Sequence, residues 1–263
     1  MVDITTIRTP LFVPANRPER FAKAAASGAD AIILDLEDAV AAQAKDAARA
    51  ALSRDFTALP VIVRINAAGT PAHDADLAAV VALQPAAIML PKAESAAGCQ
   101  AVARITGPIP LIALVETARG LAHVRDIAAQ PQVRRLAFGS VDFCADLGCA
   151  PLRELLLPVR LELVLASRLA GIAAPIDGVT VQLDDPAISH DDAAHARALG
   201  MTGKLCIHPR QIAPVRRAFA PSDAEIDWAR RVLAAGEGAV SVDGAMVDEP
   251  VRLRARAILA QIG

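Results

Sequence analysis

Residues 31–37 read AIILDLE, a run of aliphatic residues that ends in carboxylates. Short apolar runs of this kind recur along the chain, and a longer alanine-rich stretch with helical periodicity follows them. Apolar runs without polar alternation are typical of parallel strands covered on both faces. The pattern predicts eight strands, at residues 11–15, 31–37, 61–66, 87–92, 111–116, 135–140, 176–183 and 203–208.

Strict alternation of strand and helix, eight times over, predicts an α/β protein with a closed (β/α)8 TIM barrel, a fold of about 250 residues. An open doubly wound sheet is the alternative. No GxGxxG or GxxxxGK[ST] turn follows any of the eight runs, so the dinucleotide and P-loop signatures of open sheets are absent. We therefore predict a barrel over residues 1–220 and an extension over 221–263.

The extension has sequence patterns that predict two helices and a loop between them. Residues 222–225 read SDAE, a capping-box pattern that predicts a helix through Trp228, closed by Gly236. A glycine-rich loop over residues 236–250 and an amphipathic helix from about Val251 to Ile262 are expected to follow.

Composition excludes several classes of protein. A hydrophobic content of 54% excludes a disordered chain. No segment has the roughly 20 uninterrupted apolar residues of a membrane span, and residues 1–10 lack a secretory pattern, so a soluble, cytoplasmic protein is expected. The formal charge of -2, with both signs interleaved, makes nucleic acid an unlikely partner. The four cysteines lack zinc-site spacing and are expected to be reduced and mostly buried: Cys99, Cys144, Cys149 and Cys206.

Polar side chains accumulate where the predicted strands end, and in a TIM barrel the carboxyl ends of the strands form the catalytic mouth. Six strand ends contribute to this set: Asp35, Glu37, Asp38, Arg64, Asn66, Lys92, Glu116, Asp142 and His208. Strand alternation places Asp35 and Glu37 on one face, and Leu36 and Asp38 on the other.

Glu116 and Asp142 follow adjacent strands and offer hard oxygen ligands, which suit Mg2+ or Mn2+ better than zinc. Arg64 presents a planar fork that matches a carboxylate. Together these groups indicate a site for a small 2-keto or 2-hydroxy acid. A structural ion-pair network among Arg64, Glu37 and Glu116 is the alternative interpretation.

Three other polar residues have alternative interpretations. For His208, a neutral side chain hydrogen-bonded at the barrel rim is favoured over a catalytic role. For Lys92, a salt bridge is favoured over a Schiff base, which requires a desolvated pocket. Ser140 lies in FGSVD, and no GxSxG elbow supports serine hydrolysis.

Eight ordered motifs resemble the citrate lyase beta-subunit family, whose relatives include malyl-coenzyme A and citramalyl-coenzyme A lyases. The match extends from about Thr9 to Pro250 through TPLFVPANRPERFAKA, DLEDAV, VRIN, MLPKAES, ALVETARG, FGSVD, CIHPRQI and MVDEP. The resemblance implies a Mg2+-dependent barrel enzyme that cleaves or forms the bond between an acyl-coenzyme A and a 2-keto acid such as glyoxylate, pyruvate or oxaloacetate.

The resemblance also implies roles for individual residues. Glu116 and Asp142 would bind the metal, and Arg64 would hold the keto-acid carboxylate. Asp248, in MVDEP, would be the acid and base on the thioester enol, reaching the active site of a neighbouring subunit in a homotrimer. Coenzyme A would contact three residues of the first motif: Phe12, Arg17 and Lys23.

Some assignments stay open. Either Glu37 or a metal-bound hydroxide would remove the substrate hydroxyl proton, and Glu37 and Asp38 would orient metal-bound waters or pair with Arg64 and Lys92. Residue 15 is Ala where many relatives have Gly, and residues 147–158 match weakly, so the substrate is not specified. The alternative functions are an aldolase acting on free hydroxy-keto acids, a citrate lyase subunit that needs an acyl-carrier partner, and an acyl-coenzyme A thioesterase.

Overall fold

Eight parallel strands form one sheet in sequence order in the computed structural model, which describes residues 3–236, 238 and 240–262. The strands, β1 to β8, are Pro10–Pro14, Ala31–Asp35, Val61–Arg64, Ala87–Leu90, Leu111–Val115, Val133–Phe138, Ala173–Asp177 and Gly203–Lys204. The last strand returns to the first, because the Phe12 amide donates to the Cys206 carbonyl at 2.9 Å and the Cys206 amide donates to the Pro10 carbonyl at 3.0 Å. The predicted (β/α)8 TIM barrel is confirmed.

Helices connect the strands and continue after the last one. In chain order, α1 to α12 are Phe21–Ala25, Lys45–Ala50, His73–Leu83, Ala96–Thr106, Ala118–Ala122, Val124–Ala128, Ser140–Leu147, Arg153–Ala170, Pro186–Ala198, Ile212–Phe219, Asp223–Ala234 and Glu249–Leu259. Short 3-10 turns span Pro18–Arg20, Ala42–Ala44 and Pro209–Gln211. None of the helices among the described residues is both long and apolar enough to cross a membrane.

The aliphatic runs form strands because both of their faces are buried. In β2, Ile33 belongs to a core cluster that also contains Ile62, Met89 and Ile112 from the neighbouring strands. Every residue of β2 is buried, including Asp35 at its end. Burying each large aliphatic side chain contributes about 1.5–3 kcal/mol, which fixes the sheet and sets its polar strand ends at one level.

Strand β7 differs from its predicted position at residues 176–183, because it covers Ala173–Asp177 instead. Its neighbour β8 is short, and the pairing between them joins only Ile176 to Gly203 and Asp177 to Lys204. The apolar residues after Asp177 therefore leave the sheet and form the loop before α9.

The chain divides into two compact units, over residues 1–216 and 217–263. In the second unit the predicted capping box is confirmed: the Ser222 amide donates to Glu225 Oε2 at 2.8 Å, and the Glu225 amide donates to Ser222 Oγ at 3.2 Å. Side chains from α11, α12 and the segment between them form its own core, which includes Ala229, Val232 and Ala255. That this unit packs on a neighbouring subunit stays a prediction.

The prediction of a glycine-rich loop over residues 236–250 is wrong for most of its length. Strands β9, Val240–Val242, and β10, Ala245–Val247, form an antiparallel hairpin. Its turn residues Asp243 and Gly244 both have positive φ, 52° and 79°, as a tight hairpin turn requires. Glu237 and Ala239, which belong to the predicted loop, lie outside the described residues.

Cysteines behave as expected from the composition. All four are free thiols, of which Cys99, Cys144 and Cys206 are buried and Cys149 is half-buried.

Candidate functional site

A cavity of about 400 Å³ opens at the carboxyl ends of the strands. Its lining includes Phe12 from β1, Asp35 from β2, Arg64 from β3, Glu116 after β5 and Asp142 after β6. The structure therefore brings together four polar residues that the sequence pattern placed at the mouth of the barrel, and Phe12, which the family resemblance assigned to the coenzyme.

Arg64 is fixed by its neighbour in the sheet. The β2–β3 register places it beside Asp35, and its Nε and Nη2 each donate to one carboxylate oxygen of Asp35 at 2.7 Å. The guanidinium also lies 4.8 Å from the centroid of the Phe12 ring. Burial alone would lower the pKa of Arg64, but the hydrogen bonds and charge of Asp35 raise it above its ordinary value. Arg64 is thus a permanent cation, and its Nη1 is the nitrogen not bound to Asp35.

Glu37 lies between two cations. Its Oε2 is 3.1 Å from Arg64 Nη1, and its Oε1 is 3.3 Å from Lys92 Nζ. Burial raises the pKa of Glu37 to about 7, although the Arg64 charge opposes the change. A carboxyl group with this pKa can accept or release a proton near neutrality, which suits general acid–base chemistry.

Asp38 does not follow the alternation expected for a strand. Because β2 ends at Asp35, the chain turns there, and Asp38 Oδ2 lies 3.5 Å from Arg64 Nη1. Asp35 and Asp38 both line the cavity, whereas Glu37 does not. The prediction that Asp38 faces away from Asp35 is therefore wrong, and the acids of this segment surround one guanidinium.

Glu116 is a buried acceptor with one unused oxygen. The Lys92 amide donates to Oε1 at 2.7 Å, whereas Oε2 has no hydrogen-bond partner among the described residues. Burial, followed by the charge of Glu37, raises the pKa of Glu116 to about 8. A β-carbon on Gly139 would lie 2.5 Å from this Oε2, so only glycine leaves the carboxylate its place. A buried oxygen without a partner is costly unless a proton or a cation satisfies it.

Asp142 lies in the first turn of α7 and is half-buried. Its charge contributes to the raised pKa of Glu116, so the two carboxylates act on each other. Within the described part of the chain, no three or more His, Cys, Asp or Glu side chains are grouped to hold a metal ion. A cation held by Glu116 and Asp142 would therefore have coordination positions left for water and substrate, as Mg2+ commonly does.

Arg17 and Lys23 are not among the residues that line this cavity. Arg17 is exposed and pairs with Glu19 at 2.5 Å, and Lys23 is an exposed residue of α1. Asp248 belongs to the second unit and caps α12, where its Oδ1 accepts a hydrogen bond from the Val251 amide at 3.3 Å. The predicted roles of these residues stay predictions.

Lys92 and His208 make contacts of the kind that their sequence context favoured. The nearby carboxylates, Glu37 foremost, raise the pKa of Lys92 against the effect of burial, whereas a Schiff-base lysine needs a lowered pKa. His208 Nδ1 accepts a hydrogen bond from the Arg210 amide at 3.2 Å and caps the 3-10 turn Pro209–Gln211.

A second buried charge cluster was not predicted from the sequence. Asp177 Oδ1 accepts from Arg160 Nε at 2.8 Å, and Asp177 Oδ2 accepts from Lys204 Nζ at 3.2 Å. Lys204 also donates to the Gly178 carbonyl at 2.6 Å. Burial opposes ionisation, but the charges of Lys204 and Arg160 hold the pKa of Asp177 below its ordinary value. Asp177 is the last residue of β7, and a polar residue at a strand end was the signal that indicated the first cluster. The predicted strand covered residues 176–183 and therefore did not end at Asp177.

One family model and several known proteins are similar to this chain. Residues 8–209 match the family model described as HpcH/HpaI aldolase/citrate lyase. A citrate lyase subunit beta-like protein of Mycobacterium tuberculosis is 43% identical over 96% of this chain and 94% of its own. A (3S)-malyl-CoA thioesterase of Cereibacter sphaeroides is 36% identical over 97% of this chain and 94% of its own.

A solved structure extends the comparison to the fold. The crystal structure of CitE from Mycobacterium tuberculosis in complex with magnesium, acetoacetate and coenzyme A superposes with a TM-score of 0.89 at 41% identity. The superposition covers 98% of this chain and 99% of that one. On these grounds, the chain belongs to the HpcH/HpaI aldolase/citrate lyase family.

Proposed function

We propose that the protein is a Mg2+-dependent carbon–carbon lyase that cleaves, or in reverse forms, a 3-hydroxyacyl-coenzyme A thioester to give an acyl-coenzyme A and a 2-keto acid. The observation that carries the proposal is the unsatisfied, buried Oε2 of Glu116 in the same cavity as Asp142 and Arg64. Family membership supports a lyase. The related CitE, which binds magnesium, acetoacetate and coenzyme A, supports the choice of metal and of substrate class.

Glu116 and Asp142 would hold the Mg2+, and Mn2+ would fit the same oxygen ligands. When bound, the ion supplies Lewis-acid polarisation of the oxygen that changes from hydroxyl to ketone. Binding a cation would also satisfy Glu116 Oε2 and keep the Glu116 carboxylate ionised despite its burial.

Arg64 would bind the carboxylate of the keto-acid half. Because Asp35 occupies Nε and Nη2, the contact would use Nη1, which the substrate carboxylate would share with Glu37 and Asp38. A rigidly held donor of this kind orients the substrate without losing side-chain entropy on binding.

Because Glu37 does not line the cavity, it would accept the proton of the substrate hydroxyl through one water. The electrons of that O–H bond form the ketone, the carbon–carbon bond breaks, and its electron pair moves into the thioester enolate. Asp248 of a neighbouring subunit would then protonate the enolate carbon, and the acyl-coenzyme A leaves. Phe12, Arg17 and Lys23 would contact the coenzyme in a homotrimer.

The first experiment presents malyl-, citramalyl- and citryl-coenzyme A to the purified protein with Mg2+. We expect release of glyoxylate, pyruvate or oxaloacetate from at least one of them, and Asp248→Asn should abolish release. Asparagine is an equally good helix N-cap, so this variant keeps the cap on α12 and removes only the acid. Absence of turnover across the panel would refute the proposal.

A mixing experiment tests whether Asp248 acts across subunits. Asp248→Asn and Glu116→Gln are each expected to be inactive as pure oligomers. If the acid comes from a neighbour, mixed oligomers contain sites with both an intact Glu116 and an intact Asp248, and activity returns. If the acid serves its own subunit, no mixed site is complete and activity stays absent.

Thioester hydrolysis is a second candidate function, because a relative at 36% identity is a malyl-CoA thioesterase. The same assay separates the two reactions. A lyase releases a keto acid and keeps the thioester, whereas a thioesterase releases free coenzyme A thiol and the hydroxy acid.

A further inference from the structure

A second cavity, of about 480 Å³, adjoins the first on the side of α7, α8 and the loop after β7. Ser140, Val141 and Val179 line both cavities, so the two share a wall. The volume falls within the range of small-molecule sites, about 300–1,000 Å³. A molecule bound at the catalytic mouth therefore has space beside it.

The walls of the second cavity are mainly apolar. Leu156 is buried at one side, and Val179 is half-buried on the shared wall. Val141, Val181 and Ile188 are large apolar side chains that line it and are also exposed. Such side chains gain stability when an apolar group displaces water from them.

Charged side chains also line this cavity, but they are already paired. Arg153 is 2.6 Å from Asp191 and 2.7 Å from Asp192. Lys204 is almost completely buried and is bound to Asp177 and to the Gly178 carbonyl. Paired charges attract a further ion weakly, so the cavity offers an anion little net attraction.

Arg160, which also lines this cavity, is paired as well. Its Nη1 has no hydrogen-bond partner among the described residues, but this nitrogen is itself buried. The guanidinium lies 5.4 Å from the centroid of the Phe138 ring and pairs with Asp177 through Nε. Asp177 and the Phe138 ring therefore already hold this guanidinium.

We propose that the second cavity binds an apolar side chain on the keto-acid half of the substrate, so that the preferred 2-keto acids are longer than pyruvate. This inference rests on the proposed function. The keto-acid half is the one that reaches the cavity, because Val141 on the shared wall directly precedes Asp142, the candidate metal ligand to which a chelating keto acid would bind.

Calorimetric binding of 2-keto acids in the presence of Mg2+ tests the proposal. The series is pyruvate, 2-oxobutanoate and 2-oxopentanoate, with 2-oxoglutarate as the matched acid of equal chain length that ends in a second carboxylate. Each buried CH2 should tighten binding roughly fourfold. 2-Oxopentanoate should also bind more tightly than 2-oxoglutarate.

Variants locate the effect in the cavity. Ile188→Trp and Val181→Trp each place a large ring in the second cavity from a partly exposed position, so either one suffices if the other fails to fold. Both should lower the ratio of 2-oxopentanoate affinity to pyruvate affinity towards one. Leu165→Trp is the matched control, because Leu165 is an exposed apolar residue of α8 outside the cavity lining, and it should keep the wild-type ratio.

Several results would overturn the inference. These are equal affinity along the series, tighter binding of 2-oxoglutarate, or a chain-length preference that appears with acetyl-, propionyl- and butyryl-coenzyme A instead of the keto acids. If pyruvate and the longer acids all fail to bind, the proposed function fails together with this inference. If pyruvate binds but chain length has no effect, only this inference fails.

Discussion

Two strand-end charge clusters on opposite sides of the barrel have contrasting balances of charge. Around Arg64, the acids Asp35, Glu37 and Asp38 outnumber the cations Arg64 and Lys92. Glu116 adds a further carboxylate with one unpaired oxygen.

Around Asp177, by contrast, one carboxylate is shared by the cations Arg160 and Lys204. The pKa values follow this difference, since those of Glu37 and Glu116 are raised whereas that of Asp177 is lowered. A cluster with excess buried negative charge is completed by a cation, whereas the carboxylate of the second cluster already has its cations and holds two parts of the fold together.

Asp177→Asn should give the largest effect on stability. It leaves Arg160 and Lys204 buried without their counter-charge, and we expect the free energy of unfolding to fall by about 3–5 kcal/mol. Urea unfolding near pH 7 measures the change. Asp191→Asn is the control, because this exposed carboxylate pairs with Arg153 at the surface and its loss should change stability by less than about 0.5 kcal/mol. Equal effects of the two substitutions would contradict a structural role for the Asp177 cluster.

Glu116→Gln should weaken Mg2+ binding without lowering stability. The amide oxygen can still accept from the Lys92 amide, but the buried negative charge is gone, so stability should be retained or increased. Affinity for Mg2+ should fall at least roughly 10- to 100-fold, which is the effect of losing even an outer-shell partner. Calorimetric titration of the metal-free protein measures this affinity. Unchanged Mg2+ binding would show that the metal is not held by Glu116.

Gly139→Ala should moderately lower both the unfolding free energy and the affinity for Mg2+. The added β-carbon would lie 2.4 Å from Glu116 Cβ, so the Glu116 side chain must move. We expect a loss of about 1–3 kcal/mol in unfolding free energy, together with weaker Mg2+ binding. In Gly98→Ala the new β-carbon meets its nearest neighbour, Ser95 Oγ, at 3.4 Å, and the helical position should gain about 0.5–1 kcal/mol. Normal Mg2+ affinity in Gly139→Ala would contradict the close packing of Glu116.

Glu116 should also make the unfolding free energy depend on pH. The pKa of Glu116 is about 8 in the folded protein and lower when unfolded, so the folded state binds more protons between these values. The unfolding free energy of the metal-free protein should therefore fall as pH rises from about 5 to 8, by at most about 1.4 kcal/mol per unit for this group.

The two clusters should act in different pH ranges. Because the pKa of Asp177 is lowered in the fold, its contribution is present above its unfolded pKa and is lost as pH falls through the folded value. Urea midpoints with a chelator, compared between wild type and Glu116→Gln, isolate the Glu116 slope. Identical slopes in both proteins would show that Glu116 is ionised even without metal.

The barrel could be predicted because short stretches of the sequence each indicate one strand. Each apolar run indicates a strand on its own, and only the spacing between runs is needed to order the strands. Strand β7 was misplaced because its end depends on the pairing with β8, which no local pattern encodes. The hairpin after α11 did have a local signal, since Asp243 and Gly244 separate two short apolar runs, but the surrounding glycines concealed it.

The candidate site was partly predictable for the same reason. Arg64, Glu116 and Asp142 lie at the cavity because they follow strands, and their positions needed only the strand ends. The bidentate bond from Arg64 to Asp35 depends on the register of two strands, and the pairing of Arg160 with Asp177 joins a helix to a strand. Such contacts arise only when the chain folds, so the sequence did not indicate which acid each arginine would bind.

The seam of the barrel, where the chain around β8 pairs with β1, is held by few hydrogen bonds. Strand β8 has only two residues. Three backbone hydrogen bonds close the barrel, donated by the amides of Lys204, Cys206 and Phe12 to the carbonyls of Arg8, Pro10 and Cys206, respectively. Local opening requires least work where few hydrogen bonds must break, so hydrogen exchange should be faster along this seam than between β5 and β6. Since Phe12 belongs to the seam and also stacks on Arg64, fluctuations of the closure reach the guanidinium directly.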